Sequence, residues 1–160
     1  MYQHGFLKVA TASPKVFVGD PIANVEMILK ALEVAQQHKA GIMVFPELSV
    51  CGYTCGDLFF QEKLLSSAIE GLEIILDKTK ELDIISIIGM PVKVGNNLVS
   101  CAVAINKGNI IILTLIVEDE EMHKQRFYSR CRQPWVKRSL DHYMDNFDTI
   151  RKTQDFLISQ

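Results

Sequence analysis

The sequence predicts an α/β fold, a layered sheet with helices on at least one face. Three observations predict it. Short, wholly apolar runs suit strands buried on both faces, amphipathic stretches at helical spacing lie between them, and an apolar meander broken by glycine turns follows.

Taken in order, FLKVATAS (Phe6 to Ser13) partly alternates and reads as a first strand. GDPIANVEMILKALEVAQQHKAG is a marked helix: Asp20 can cap it, Pro21 suits its first turn, and Gly41 follows its end. Ile22, Val25, Ile28, Leu29, Leu32 and Ala35 recur at helical spacing and form one apolar face. IMVF (Ile42 to Phe45) is a short buried strand. DLFFQEKLLSSAIEGLEIILDKTKEL is helical, in one or two pieces, with Ile69, Leu72, Ile75 and Leu76 inward. DIISIIGMPV is a second buried strand. VKVGNNLVSCAVAINKGNIIILTLIV reads as three strands, with turns at Gly95-Asn96 and Lys107-Gly108. The order is therefore β-α-β-α-β-β-β.

Bulk properties narrow the function classes. A length of 160 residues suits one domain, and 48% apolar residues supply a core. A net charge of −2 gives no global attraction to nucleic acid or anionic membrane. No apolar run reaches the roughly 18 to 20 residues of a membrane span, and the N-terminus has no apolar stretch behind a basic start. A cytoplasmic protein with its four cysteines as thiols is expected.

Composition changes near residue 117. Residues 1–117 hold nine lysines and no arginine, whereas all five arginines and the single Trp135 lie in the last 35 residues. Two parts are expected: residues 1–117, and a divergent tail, 118–160. In the tail, Leu140, Tyr143, Met144, Phe147 and Ile150 are compatible with one more amphipathic helix. The basic stretch Lys124 to Arg138 interleaves Phe127, Tyr128 and Trp135, a pattern that can bind nucleic acid. With a slightly negative chain and no nucleic-acid fold motif, a solvated segment is favoured and no nucleic-acid partner is expected.

Chemistry concentrates in VFPELSVCGYTCGDLFF, Val44 to Phe60. Pro46 ends the IMVF strand, which leaves Glu47 at the carboxyl rim of the sheet, where ligand sites of open α/β sheets lie. Phe45, Tyr53, Phe59 and Phe60 are expected to shield it partly, and Gly52 and Gly56 allow tight turns. A glutamate so placed can be tuned toward general-base work. Spacing alone favours a structural role, capping the next turn or pairing with a surface lysine, because single carboxylates near strand ends are common. Cys51 and Cys55 stand at C-x3-C spacing, within the range of zinc ligands. No second pair follows among His4, His38, His123 and His142, so no metal is expected. A redox dithiol prefers C-x-x-C. A nucleophilic thiol needs an activating neighbour, and small buried thiols are favoured instead.

FPELSVCGYTCGDLFFQ resembles the first catalytic motif of the nitrilase (carbon–nitrogen hydrolase) superfamily, and is most similar to the glutaminase domain of glutamine-dependent NAD synthetases. GFLKVATASPKVFVGDPIANVEMILKALEVAQQHKAGIMVFPEL resembles that domain's opening strand and helix, and ISIIGMPVKVGNNLVSCAVAINKGNII its next strand and hairpin. The resemblance covers residues 5 to about 111. It implies an α-β-β-α sandwich, of which this chain carries a part. It also implies a Cys nucleophile, a Glu general base and a Lys that stabilises the tetrahedral intermediate, with no cofactor. The thiol attacks the side-chain amide of glutamine, ammonia leaves, and water releases glutamate. In full-length relatives the ammonia passes to an ATP-using domain that makes NAD, and those relatives are oligomers. Carried over to this sequence, Glu47 is the general base and Tyr53 lines the glutamine pocket.

The resemblance does not extend to the other two catalytic groups. NIIILTLIVEDEEMHKQRF has no lysine at the family's position, Lys124 follows an acidic run, and Cys131 in SRCRQPW lacks the nucleophile's surroundings. Residues after about 112 are expected not to be the family's own continuation, and the chain is expected to be an incomplete, inactive piece of the glutaminase. The alternative is a non-catalytic module that acts by oligomerisation or by binding a partner.

Overall fold

A computed structural model of the chain describes residues 2–3, 6–94 and 97–115. The elements are β1 (Tyr2–Gln3), β2 (Phe6–Leu7), β3 (Val9–Thr11), α1 (Pro21–Gln37), β4 (Ile42–Val44), a 3-10 stretch (Tyr53–Phe60), α2 (Glu62–Lys78), β5 (Ile85–Val94), β6 (Asn97–Asn106) and β7 (Asn109–Leu115). Five strands form one sheet in the order β3-β4-β5-β6-β7. β3, β4 and β5 run parallel, and β6 and β7 continue antiparallel. Along the chain, from β3 onward, the elements follow the expected β-α-β-α-β-β-β order.

The expected first strand is broken in two. Phe6–Leu7 pairs antiparallel with Tyr2–Gln3, while Val9–Thr11 joins the main sheet. Lys8 is the pivot: its carbonyl accepts from Gly41 N at 2.8 Å, and its Nζ donates to His38 O at 2.9 Å. The strand stops short of Ser13 because Pro14, with no N–H, follows at once.

Asp20 caps α1 as expected, its Oδ1 accepting from Ala23 N at 3.1 Å, with Pro21 in the first turn. Val25, Ile28, Leu32 and Ala35 are buried, and Ile22 and Leu29 half-buried. The second helical stretch comes in two pieces. The 3-10 stretch is kinked at Thr54 and Gly56, and α2 starts after Gln61. The inward face of α2 differs from expectation. Leu64, Ala68, Gly71 and Ile75 are buried, Leu72 and Leu76 are half-buried, and Ile69 is 43% exposed. The reason is the approach of α1. A Cβ on Gly71 would stand 2.9 Å from Val25 Cγ2, so the contact face of α2 is set by its small residues rather than its largest.

Right-handed crossovers between neighbouring parallel strands place both connecting helices on one sheet face. That inner face, with Met43, Ile88, Met90, Cys101, Val103 and Leu113, makes the core with the helices. The row Thr11, Val44, Ile87, Ala104 and Ile112 lies on the opposite, outer face. There Val9, Val44 and Ile112 are 63%, 37% and 53% exposed. The described residues thus make one helical layer and one sheet layer. No helix among them is long and apolar enough to cross a membrane.

The Lys107-Gly108 turn has positive φ at both central residues (49° and 73°), the form that matches strand twist in a two-residue hairpin. The Gly95-Asn96 turn, the tail helix around Leu140 to Ile150 and the basic stretch Lys124 to Arg138 lie outside the described residues.

Candidate active site

The site begins where β4 ends. Phe45 N still donates to Ile87 O at 2.9 Å, and then Pro46, without an N–H, stops the ladder. The chain folds into an elbow. Ser49 N donates to Pro46 O at 3.2 Å, Cys51 N and Gly52 N both donate to Leu48 O at 3.0 and 2.7 Å, and Leu48 takes a left-handed φ of 53°. Left-handed backbone is uncommon for a side chain such as leucine. It is sustained here by the surrounding bonds.

Three elements hold this elbow. β5 holds it at Gly89: Val50 N donates to Gly89 O at 3.1 Å, and Ser49 Oγ donates to Gly89 O at 3.3 Å and accepts from Gly89 N at 3.2 Å. A Cβ on Gly89 would lie 2.5 Å from Leu48 N, 2.7 Å from Pro46 O and 2.8 Å from Glu47 Cα. Only glycine lets the Glu47 backbone rest on the strand. α1 holds it through buried Asn24, whose Nδ2 donates to Val50 O at 3.0 Å and to Phe17 O at 2.8 Å, while Phe17 N donates to Oδ1 at 2.7 Å. β6 holds the side chain: Ser100 Oγ donates to Glu47 Oε1 at 2.9 Å. Glu47 is half-buried and projects over the carboxyl end of the parallel strands, the place where such sheets bind ligands.

The other expected site residues are distributed unevenly. Tyr53 opens the 3-10 stretch and is 42% exposed. Of the four aromatic residues expected to shield Glu47, Phe45 and Phe59 belong to the buried core, whereas Tyr53 and Phe60 are exposed. Cys51 and Cys55 are buried free thiols, with Cys55 Sγ donating to Cys51 O at 3.0 Å. Burial, with a smaller contribution from Cys55, pushes the Cys51 thiol up to about 12. Burial also pushes Cys55 up. Burial thus favours the protonated thiols, which pack into the core. Among the described residues the ion pairs are Lys80–Asp77, Lys93–Glu62 and Lys107–Asp83, so no lysine there pairs with Glu47. Among the same residues no group of three or more His, Cys, Asp or Glu is placed to hold a metal ion.

Ser100, Gly89 and Asn24 are the site-forming residues that sequence reasoning missed. A hydroxyl interrupting the apolar run of β6 was the available signal for Ser100. Its partner lies 53 residues away, and only the sheet register brings the two together.

The carbon-nitrogen hydrolase family profile matches residues 8–135, from the first strands past the change of composition near residue 117. The glutamine-dependent NAD(+) synthetase of Mycobacterium tuberculosis (strain H37Rv) is 30% identical over 110 residues, which are 69% of this chain and 16% of that one. The solved glutamine-dependent NAD(+) synthetase of Cytophaga hutchinsonii superposes with a TM-score of 0.63 at 27% identity, over 68% of this chain and 18% of its own. The chain therefore spans less than one-fifth of the length of either. A 2-phosphoglycerate kinase of Methanothermobacter thermautotrophicus is 45% identical over 56 residues, 35% of this chain and 18% of that one. Given the sheet, the elbow that carries Glu47 and the extent of the profile match, this chain belongs to the carbon-nitrogen hydrolase family.

Proposed function

We propose that the chain carries the general-base corner of a glutamine amide hydrolase, of the kind that supplies ammonia for NAD synthesis, and that it does not turn over on its own. The observation that carries this reading is the placement of Glu47, fixed by backbone at Gly89 and by side chain at Ser100, over the carboxyl end of the sheet. In such a site a carboxylate takes the proton of a thiol as its sulfur bonds to the amide carbon of the glutamine side chain. The C–N bond then breaks and ammonia leaves with that proton. Water, deprotonated by the same carboxylate, cleaves the thioester and releases glutamate. Tyr53 is assigned to the wall of the glutamine pocket.

Inactivity rests on the missing partners. Neither the lysine nor the cysteine motif of the family is matched, and removing one member of a covalent catalytic unit can cost about as much as removing all of it. Ammonia release from glutamine by the purified chain, with Glu47→Gln as control, is the test. The two proteins should release ammonia equally slowly. Release that the substitution abolishes would show a complete enzyme.

The outer sheet face supports a second role, self-association, since Val9, Val44 and Ile112 leave apolar surface on it. Sedimentation should give a mass above the monomer's 18.1 kDa. A monomer at every concentration would rule this out.

We also propose that the chain divides near residue 117. The synthetase likeness covers 110 residues and the kinase likeness 56, in a chain of 160. The change in arginine use near residue 117 supports this division, although the family match to residues 8–135 runs across it. A chain ending at residue 117 should keep the dispersed amide spectrum of residues 6–115. Loss of that dispersion would make 118–160 part of the same folding unit.

A further inference from the structure

We propose that Ser100 is a positioning residue for Glu47, fixing the plane of its carboxylate from the neighbouring strand. The inference rests on the reading of Glu47 as the general base. It starts from the register. β6 pairs antiparallel with β5, Ser100 opposite Pro91 and Ala102 opposite Gly89, so all four lie on one sheet face. The Glu47 backbone rests on Gly89, with its Cα 2.8 Å from where a Cβ would stand. Ser100 is therefore the diagonal cross-strand neighbour of the residue beneath Glu47. Such diagonals span roughly 7–8 Å, a distance that a glutamate side chain bridges. The observed 2.9 Å bond from Ser100 Oγ to Oε1 closes it.

Ser100 is the donor that reaches Glu47 from β6. Ala102 and Gly89 have no side-chain donor, and a one-residue slip of β6 would present Cys101, which points into the core. A hydroxyl also differs in kind from a lysine. A cation would pair with the carboxylate and lower its proton affinity, whereas a neutral donor orients it without adding charge. With Oε1 held by Ser100, Oε2 is the oxygen assigned to take the proton from a nucleophile.

The full 160-residue chain, labelled with 13C, gives the test without any need for turnover. In Ser100→Ala the Glu47 Cδ resonance should move, and the Glu47 side-chain couplings should average over rotamers. The amide signals of Ser49, Val50 and Gly89 should stay in place, and Ser100→Thr should restore the Glu47 signals. Should Ser100→Ala not fold, Ser100→Cys, of the same shape with a weak donor, is read the same way. Glu47 signals that overlay those of the wild type would overturn the proposal. So would movement of the Ser49, Val50 and Gly89 amides together with Glu47, which would assign Ser100 a merely structural role. Failure of the functional reading looks different: glutamine would not perturb Glu47, while the Ser100 contact would still be seen.

Discussion

Glu47 and Cys51 are chemically opposite, although only three residues lie between them. Glu47 is half-buried with a hydroxyl donor at 2.9 Å, whereas Cys51 is buried and its thiol is pushed up to about 12. Against the ordinary 9.0, that leaves roughly a thousandfold less thiolate at any pH below 9. Alkylation of the native chain at pH 8 should therefore spare Cys51 and Cys101, the latter also pushed up to about 12 by burial. Both should react promptly in denaturant. Peptide mapping after a timed iodoacetamide pulse is the check, and fast native labelling of Cys51 would reopen its candidacy as a nucleophile. At this scale Glu47 was legible because Pro46 behind an apolar run marks a strand end. Ser100 and Gly89 were not, because one serine or glycine in a strand acquires its role only once the register sets what lies over it.

Among the elements, the elbow 46–52 is held by its neighbours as well as by its own turn bonds. Asn24 of α1 makes three hydrogen bonds to the segments beside it, and Gly89 of β5 leaves the space it occupies. Gly89→Ala should push Pro46 to Leu48 off the strand, destabilising the chain by about 1–3 kcal/mol, as overpacking does. It should also break the Ser100–Glu47 bond. Chemical denaturation together with the Glu47 carboxyl signal measures both, and an unchanged midpoint with an unchanged signal would show that the elbow has slack. The helices were legible in their existence, capping and rough extent. The face of α2 was not: apolarity ranks Ile69 high, but contact with Val25 selects Gly71 and Ala68, and a hydrophobic pattern gives no weight to smallness.

For the whole molecule, the core between one sheet face and two helices carries the stability and also sets a pH dependence. Cys51 and Cys101 ionise at about 12 when folded, against an ordinary value of 9.0. Below pH 9 both states hold these protons, so neither thiol affects stability there. As pH rises from 9 toward 12 the unfolded chain releases them first, and stability falls by up to about 1.4 kcal/mol per pH unit for each thiol. Urea midpoints over that range should drop less steeply in a Cys51→Ala, Cys101→Ala chain. Equal slopes would contradict the burial of these thiols. The α/β class and the order of elements along the chain were legible because buried strands and amphipathic helices alternate at recognisable lengths; the order of strands within the sheet was not. The break at Lys8 was hidden, since it depends on a bond from Gly41 across a parallel pair.

We propose that Glu47 faces the side-chain amide of glutamine. A glutamine titration of the 13C-labelled chain, followed at Glu47 Cδ, reads this contact out. A saturable movement of that resonance with glutamine is expected, accompanied by Tyr53 and absent with leucine. A Glu47 signal that does not respond to glutamine, or responds equally to leucine, would contradict it.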